Sequence, residues 1–375
     1  MKILHLAFAG TDQAGVHRKL SEQVHALRAH GATVESIVFV SEGTALTAVA
    51  PYQVVEVPGG GFGARGRVAA FDYCRQAVAR FAPDVIYLRY PVYDEYVLRF
   101  VRDMPPVVFE LQTIFANEAP PLVAREEGYW ASRILPETAG LVAVTGEILR
   151  HEIARTGYAV PGHVMPNGAD PQTIPFTPPE LATDRINLVC VASCYPWHGI
   201  DRLVVGFAAE REVDDVHLHV IGDGPTLPDI VTLAREAGVS DRVHCHGAMP
   251  VSALTPWYAA THVAVGSLAP HRVGLRELAA LKHREYVLRG LPMIIGGADA
   301  DIPHTAPWCR QFAADDTPIS PRTVRALALG WTHEARRRQI RTWAEGHVAW
   351  DAKMPALLAF LRACVAQGKR VHQVA

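Results

Sequence analysis

Short apolar runs alternate with amphipathic stretches along most of the chain. Residues 2–8 (KILHLAF) and 32–40 (ATVESIVFV) are mostly apolar. The stretch between them, residues 20–31 (LSEQVHALRAHG), has helical spacing and ends at a glycine. Because a strand that is covered on both faces reads as a continuous apolar run, this order predicts a β-loop-α-β unit of a parallel sheet.

The alternation occurs in two blocks, which are separated by a proline-rich segment. Residues 162–180 (GHVMPNGADPQTIPFTPPE) contain five prolines and no helical period. We therefore predict an α/β protein of two Rossmann-like, doubly wound parallel-sheet domains that face a cleft. The expected ranges are 1–168 for the first domain, 169–182 for a linker, 183–345 for the second domain, and 346–375 for a C-terminal helix that crosses back to the first.

Composition and charge exclude several classes of function. The net charge of −2 argues against a nucleic-acid-binding surface. The six cysteines are scattered without a CxxC pair, which is typical of reduced thiols in a cytoplasmic protein. The apolar start is short for a signal sequence, and no apolar run is long enough to span a bilayer. We expect a cytoplasmic protein, with at most peripheral association at the inner face of a membrane.

The segment 271–295 (HRVGLRELAALKHREYVLRGLPMII) carries two glutamates, Glu277 and Glu285, eight positions apart in a predicted helix. If this helix begins near Arg276, its first free amides are those of residues 278–280, and together with the helix dipole they favour a phosphate. Lys282 adds a cation. The alternative is a solvated helix face on which Lys282 pairs with Glu285. Spacing alone leaves both interpretations open.

The order of motifs around this segment resembles a known family. "HVIGDGP" (residues 219–225) is followed by "CHGAM" (245–249), by the two glutamates, and by "GLPMII" (290–295). This order is similar to the donor domain of GT-B glycosyltransferases, specifically the retaining enzymes of family 4 (group 1). "LKHREYVLRGLP" resembles the bacterial polysaccharide members, and "VMPNGAD" resembles the segment that joins their two domains. The similarity covers about residues 1–300.

The resemblance implies roles for individual residues. Glu285 would bind the donor ribose, and Glu277 would hold the transferred sugar. The catalytic group would be Glu277, His198 and Lys282. The donor-binding residues would be Gly15, Ser193, Trp197, Gly199, Gly222, Asp223, Gly224, His246, Gly247, Ala248, Leu278, Ala279, Ala280 and Glu285. The donor would be a UDP- or GDP-linked sugar, with no cofactor and no metal.

The sequence departs from the family pattern at the loop after the first donor-domain strand. Family members carry R-x4-K-G there, whereas this chain has Ser193 and His198 in the two cationic positions. Either His198, charged beside a diphosphate, or Lys282 could replace the missing charge. Trp197 could contact the donor or pack against the sheet. Asp299 and Asp301 have the Asp-x-Asp spacing of a metal site, but their position after a strand predicts a surface turn.

The acceptor side is less defined by the sequence. Gln112 occupies the position where family members often place a histidine. Glu118 could orient the acceptor hydroxyl or be an ordinary loop residue, and Asp12 and Arg89 are further candidates at strand ends. We expect the remaining histidines to be scattered over the surface and core.

The resemblance implies a hexosyltransferase-type enzyme that moves a sugar from a nucleotide-sugar donor to a hydroxyl, with retention of configuration. The acceptor would be a carbohydrate, a lipid-linked glycan of bacterial polysaccharide synthesis, or a small natural product. A nucleotide-sugar epimerase and a non-catalytic sugar-nucleotide binder are alternatives on the same fold. An NAD-binding dehydrogenase is excluded because "GTDQAGVHR" lacks G-x-G-x-x-G.

Overall fold

The chain divides into two compact units, each described separately below. The computed structural model describes residues 1–10, 14–43, 51–157 and 159–368. The first unit comprises Met1–Gly168 and the chain from Trp350 onward, and the second comprises Ala169–Ala349. The segment 169–182, for which we predicted a linker, is grouped with the second unit.

A parallel sheet forms the centre of the first unit. Its strands are β1 (Lys2–Phe8), β2 (Thr33–Ser41), β3 (Gln53–Val57), β4 (Val85–Arg89), β5 (Val107–Leu111), β6 (Gly140–Ala143) and β7 (Gly162–Val164). In the described residues the sheet has seven strands in the order β3-β2-β1-β4-β5-β6-β7, and every pair is parallel. The central strands β1, β4 and β5 are almost completely buried, as expected for a sheet that is covered on both faces.

Helices connect these strands. They are α1 (Ala14–Ala29), α2 (Gly63–Phe81), α3 (Glu95–Asp103), α4 (Pro121–Ile134) and α5 (Gly146–Thr156). Two of them begin at a capping side chain: Asp94 accepts a hydrogen bond from the amide of Val97, and Thr145 from that of Ile148. Such caps satisfy amides that have no partner inside the helix, so they fix where each helix begins.

The second unit repeats the plan. Its strands are β8 (Ile186–Val191), β9 (Val216–Ile221), β10 (Val243–Cys245), β11 (Val263–Val265), β12 (Glu277–Leu278), β13 (Met293–Gly296), β14 (Ala298–Asp299) and β15 (Cys309–Phe312). Six of those that the structure describes form a parallel sheet in the order β10-β9-β8-β11-β13-β15. The other two, β12 and β14, pair with each other in parallel.

The remaining helices complete both units. Those of the second unit are α6 (Ile200–Ala209), α7 (Leu227–Glu236), α8 (Thr255–Ala259), α9 (Leu281–Leu288), α10 (Pro321–Leu329) and α11 (Glu334–His347). The last helix, α12 (Trp350–Gln367), belongs to the first unit. Its buried Met354, Leu357 and Leu361 share an apolar core with Val24 and Leu27 of α1.

The prediction of two doubly wound, parallel α/β domains is confirmed. Each sheet has one point where the strand order reverses, between β1 and β4 in the first unit and between β8 and β11 in the second. Ligands of open α/β sheets bind at the carboxyl ends of the strands at such a point. None of the helices among the described residues combines the length and apolarity needed to cross a membrane.

Candidate functional site

The loops after β8 and β11 meet at the reversal point of the second sheet. Because β8 and β11 are parallel neighbours, their carboxyl ends lie at the same edge. The amides of Leu268 and Ala269, after β11, donate to the carbonyls of His198 and Trp197, after β8, over 3.0 and 3.1 Å. The structure thus brings together two segments that the sequence places about 70 residues apart.

The loop after β8 is a tight 3₁₀ turn, Pro196–His198, which ends at Gly199. Gly199 has φ of 60°, and a Cβ there would lie 2.8 Å from the Cβ of Ala269. A glycine is therefore required at this position. The half-buried Trp197 stacks on the exposed Tyr195, with ring centroids 4.5 Å apart. Tyr195 directly precedes the turn, and Trp197 lies within it.

His198 is buried and uncharged in this structure. Its Nδ1 accepts a hydrogen bond of 3.0 Å from the amide of Tyr195, so the proton of the neutral ring lies on Nε2. Burial, with smaller contributions from Lys282 and His283, lowers the pKa of His198 to about 2. The positive charge that we predicted for His198 as one alternative is therefore absent from the ligand-free protein.

Lys282, the second residue of α9, carries the cation of this region. Its Nζ is buried and makes no hydrogen bond to any described residue. Burial lowers the pKa of Lys282, and the nearby thiols of Cys190 and Cys194 only partly oppose this effect. A buried ammonium without a partner is costly, and an anion bound beside it would remove that cost.

The predicted helix start near Arg276 is wrong. Glu277 and Leu278 form β12, which pairs with β14, and α9 begins only at Leu281. The amides of Ala298 and Ala300 donate to the carbonyls of Arg276 and Leu278, each over 2.8 Å. These tertiary hydrogen bonds outweigh the helical spacing of the segment. Ala279 and Ala280 connect β12 to α9. The two glutamates therefore do not share a helix face, and residues 278–280 do not provide the first amides of a helix.

Glu285 lies within α9 and is already paired. Its carboxylate accepts hydrogen bonds from Nε and Nη2 of Arg289, over 3.1 and 2.9 Å, and both side chains are largely buried. The guanidinium of Arg289 lies 4.1 Å from the ring centroid of Tyr258. Arg289 thus fixes the position of the Glu285 carboxylate, which we predicted to bind ribose. Its role in ligand binding stays a prediction.

Asp299 and Asp301 do not form the predicted surface turn. Asp299 is buried in β14, and both carboxylates accept hydrogen bonds from Arg284. Nδ1 of His283 also donates to Asp299 over 2.8 Å, while its Nε2 accepts from the amide of Ser267 over 3.2 Å. Arg284 and His283 hold the pKa of Asp299 well below its usual range, despite burial. The network ties α9 to β14, and so to the strand that contains Glu277.

The GDG turn after β9 packs directly on the loop after β8. Gly222 has φ of 137°, and a Cβ there would lie 1.8 Å from the carbonyl oxygen of Ala192. At Gly224 the corresponding distance, to the carbonyl oxygen of Ser193, is 2.3 Å. The amide of Gly222 also donates to the carbonyl of Gly247 over 2.8 Å. Three predicted donor loops are thereby joined at one edge of the sheet.

Four of the predicted donor residues are exposed. Ser193, Asp223 and Ala248 lie in the loops just described. The family resemblance implies that Gly15 lets the loop after β1 approach the donor phosphates, but Gly15 lies inside the first turn of α1, in the first unit. The predicted role of Gly15, close approach of loop backbone to a phosphate, therefore lacks the expected local structure.

Comparison with known proteins identifies the second unit. Residues 185–306, which contain all the loops described above, match the model of the family "Glycosyl transferases group 1". Over these residues the second unit is similar to group 1 glycosyltransferases. A search of curated proteins gave no match.

Solved structures show the fold of the whole chain. Sucrose-phosphate synthase from Thermosynechococcus elongatus aligns over 98% of this chain and 100% of its own, with a TM-score of 0.71 and 15% identity. A Rickettsia africae glycosyltransferase aligns over 97% and 98%, with a TM-score of 0.73 and 12% identity. Anabaena HepE in complex with UDP aligns over 97% and 100%, with a TM-score of 0.66 and 15% identity. The predictions of a GT-B fold and of a glycosyltransferase are confirmed.

Sequence reasoning missed a row of histidines in the glycosyltransferase domain. His217 and His219 of β9 face His244 and His246 on or next to β10, with hydrogen bonds of 3.3 and 3.1 Å between ring nitrogens. The row ends on Trp257, whose ring centroid lies 4.3 Å from that of His246. Burial lowers the pKa of His219 to about 4. The alternation of histidine along "VHLHV" and "VHCH" was the available signal, since alternate strand residues share a face.

The predicted acceptor residues lie in the first unit. Arg89 ends β4, and Gln112 directly follows the neighbouring strand β5. Glu118 is exposed and accepts a hydrogen bond from the hydroxyl of Thr113. Asp12 lies outside the described residues. Arg89 and Gln112 are therefore brought to one edge of the first sheet, near its reversal point, whereas Glu118 projects from a surface turn.

Proposed function

We propose that this glycosyltransferase transfers a sugar from a UDP- or GDP-linked donor to a hydroxyl of a carbohydrate or glycolipid acceptor, with retention of configuration. The observation that carries the proposal is the buried ammonium of Lys282, which has no hydrogen-bond partner among the described residues and lies at the reversal point of the unit that matches the group 1 family. HepE, which shares the fold, has been solved with UDP-glucose. A nucleotide sugar supplies the diphosphate that such a cation would bind.

The proposed chemistry is electrostatic. The bond between the anomeric carbon and the diphosphate oxygen breaks, and the acceptor oxygen forms the new bond to that carbon. The acceptor proton moves to an oxygen of the leaving diphosphate. Lys282 stabilises the charge that develops on the diphosphate, and the Nε2–H of neutral His198 can donate a hydrogen bond. In this proposal protein groups, without a metal, provide the stabilisation.

Glu277 and Glu285 keep separate proposed roles. Glu277, on the half-buried strand β12, would accept hydrogen bonds from the transferred sugar, and Glu285 would accept them from the ribose. The two glutamates do not share a helix, but tertiary contacts connect the elements that carry them. The buried Arg284–Asp299 pair fixes α9 against β14, which in turn pairs with β12. Both carboxylates are thus positioned by the same tertiary contacts.

The acceptor class is proposed from sequence similarity alone. "LKHREYVLRGLP" favours a lipid-linked glycan of bacterial cell-surface polysaccharide synthesis, and a small natural product is the second candidate. An enzyme acting on lipid-linked glycan would work at the inner face of the membrane by peripheral contact. Product analysis with both acceptor classes distinguishes them.

Thermal unfolding with UDP-, GDP- and dTDP-sugars tests the donor site. A donor at 100 times its dissociation constant should stabilise the protein by about 2.7 kcal/mol. Lys282→Met, which keeps the length of the side chain but removes the charge, should lose most of this stabilisation without destabilising the ligand-free protein. Arg325→Met, at a surface ion pair with Asp215, is the matched control and should respond as the wild type does.

Two results would contradict the proposal: no sugar nucleotide changes the unfolding temperature, or Lys282→Met keeps the full response. Transfer to an acceptor is then followed by the anomeric configuration of the product in NMR spectra. An inverted product would remove the retaining mechanism and leave the donor site intact.

A further inference from the structure

Polar side chains, most of them buried, gather at the reversal point of the first sheet. His5 lies in β1, Arg89 ends β4, Glu110 lies in β5, and Lys19 of α1 covers them. Each of these side chains affects the pKa of at least one other, so they lie close together. The place corresponds, within this unit, to the edge at which open α/β sheets bind ligands.

The carboxylate of Glu110 is neutralised inside the cluster. One of its oxygens accepts hydrogen bonds from Nζ of Lys19 over 3.1 Å and from Nε2 of Gln23 over 2.9 Å. Lys19 and Gln23, together with the charges of Arg89 and of protonated His5 at low pH, outweigh burial and lower the pKa of Glu110 to about 2. Burial lowers the pKa of His5 to about 4, so this ring is neutral at pH 7. Glu110 and Lys19 therefore form a buried ion pair through Oε1, while Oε2 of Glu110 has no hydrogen-bond partner among the described residues.

Arg89 is left as a cation without a partner. Its Nε is buried, and its guanidinium makes no hydrogen bond or ion pair in the part of the chain that the structure describes. Glu110, its register partner in the sheet, is already paired with Lys19. Burial lowers the pKa of Arg89, and the negative charge of Glu110 only partly opposes this effect. Arg67, which is also buried in this unit, shows the usual arrangement, because it donates to the carboxylate of Asp94 and to two backbone carbonyls.

A second unused donor lies beside Arg89. Gln112 follows β5, two positions after Glu110, and its Nε2 is buried without an acceptor among the described residues. Residues two apart along a strand project to the same side, and register partners on neighbouring parallel strands do so too. The guanidinium of Arg89 and the amide of Gln112 are therefore presented at one edge, and both require an acceptor.

We propose that Arg89 and Gln112 form an oxyanion subsite, and that the acceptor of this enzyme carries a phosphate or carboxylate group bound there. The part of this inference that concerns the acceptor rests on the proposed function. The planar guanidinium presents donors that match two oxygens of a phosphate or carboxylate, and the amide of Gln112 adds one more. The negative charge of Glu110 does not oppose binding, because Lys19 neutralises it.

Thermal unfolding of the full chain with inorganic phosphate, and separately with acetate, tests the subsite. Ionic strength is held constant with chloride, so that only specific binding shifts the transition. Phosphate, acetate or both should stabilise the wild type, and Arg89→Gln should weaken the apparent affinity at least tenfold. Arg89→Lys should give an intermediate loss, because it keeps the charge but not the planar fork. Arg80→Gln, at a surface pair with Glu35, is the matched control.

The two anions distinguish the possible acceptors. Selective stabilisation by phosphate indicates a phosphorylated acceptor, and selective stabilisation by acetate indicates a sugar acid. If neither anion stabilises the wild type, or if Arg89→Gln responds as the wild type does, the subsite is wrong. If Lys282→Met abolishes the stabilisation by phosphate and Arg89→Gln keeps it, phosphate binds at the donor site. That result would overturn the subsite at Arg89 and leave the proposed function unaffected. Nucleotide-sugar binding by Arg89→Gln should equal that of the wild type.

A measurement in buffer without these anions separates binding from a structural role. Because Arg89 makes no hydrogen bond or ion pair with a described residue and loses only its electrostatic attraction to Glu110, Arg89→Gln should unfold at a temperature close to that of the wild type. Arg67→Gln, which loses three acceptors, should unfold at a clearly lower temperature. A large fall for Arg89→Gln would show that its guanidinium stabilises the fold and would contradict the subsite.

Discussion

Asp299→Asn should strongly destabilise the second unit. Asp299 and Arg284 have fully buried side chains, and the carboxylate also accepts a hydrogen bond from His283. At an effective dielectric constant of about 20, two unit charges about 4 Å apart attract by about 4 kcal/mol. Loss of one partner also leaves the other charge buried, and such changes cost about 3–5 kcal/mol. We therefore expect the unfolding free energy to fall by about 4 kcal/mol.

The effects of the two partners should not be additive. Arg284→Met alone leaves the carboxylate of Asp299 buried without its cation and should cost as much as Asp299→Asn. A combined Arg284→Met and Asp299→Leu variant removes both charges, so its cost should be smaller than the sum by at least about 2 kcal/mol. Asp215→Asn, at the surface pair with Arg325, should cost less than about 1 kcal/mol.

Urea unfolding with a short deuterium pulse provides the assay. The labelled protein is digested, and peptides from α9 and β13 report the second unit alone, which avoids treating two units as one transition. A loss below 1 kcal/mol for Asp299→Asn, or additive effects in the double variant, would refute the reasoning from the buried pair. The same variant should weaken donor binding, because it releases α9 from β14.

Three further predictions concern the unfolding free energy. Burial lowers the pKa of His5 from 6.5 to about 4, so its stabilising contribution is complete above pH 6.5 and is lost as pH falls to 4. Unfolding free energy should fall by about 3 kcal/mol over this window, and His5→Gln should lose that part of the slope in urea unfolding. Gly206→Ala should cost about 1–3 kcal/mol, since its Cβ would lie 1.9 Å from a carbonyl oxygen. Gly346→Ala, with open space around it in α11, should stabilise by about 1 kcal/mol in the same assay.

The sequence predicted the central strands because their apolar runs are continuous. β1, β8 and β13 are covered on both faces, so each is visible without knowledge of its neighbours. Three strands of the two main sheets were missed, and all three lie at sheet edges: β3 and β7 in the first unit and β15 in the second. The short pair β12 and β14 was also missed, because the sequence predicted a helix and a surface turn there. The side chains of β3, β7 and β15 are partly exposed, so these strands lack a long apolar run.

The sequence predicted several loops of the candidate site but not the charge states and ion pairs of its side chains. The order of motifs predicted donor loops at GDG and CHG, and the structure joins these loops to the loop after β8 at one edge of the sheet, whereas Glu277 and Glu285 lie in β12 and α9. The sequence could not show that Asp299 is buried against Arg284, that His198 is neutral, or that Lys282 has no partner among the described residues. Each of these facts depends on which side chains from distant segments meet in the core.

The sequence by itself determined the fold class and the resemblance to group 1 glycosyltransferases, because apolar periodicity and short glycine motifs are local properties of the chain. The tertiary structure alone decided the conformation at Glu277, where hydrogen bonds to β14 replaced a helix that the local spacing favoured. It also decided which cations are available to a ligand. Lys282 and Arg89 resemble other basic residues in the sequence, but in the described part of the chain each has a buried side-chain nitrogen without a hydrogen-bond partner. Burial and pairing arise from contacts between segments far apart in the chain, so no local pattern records them.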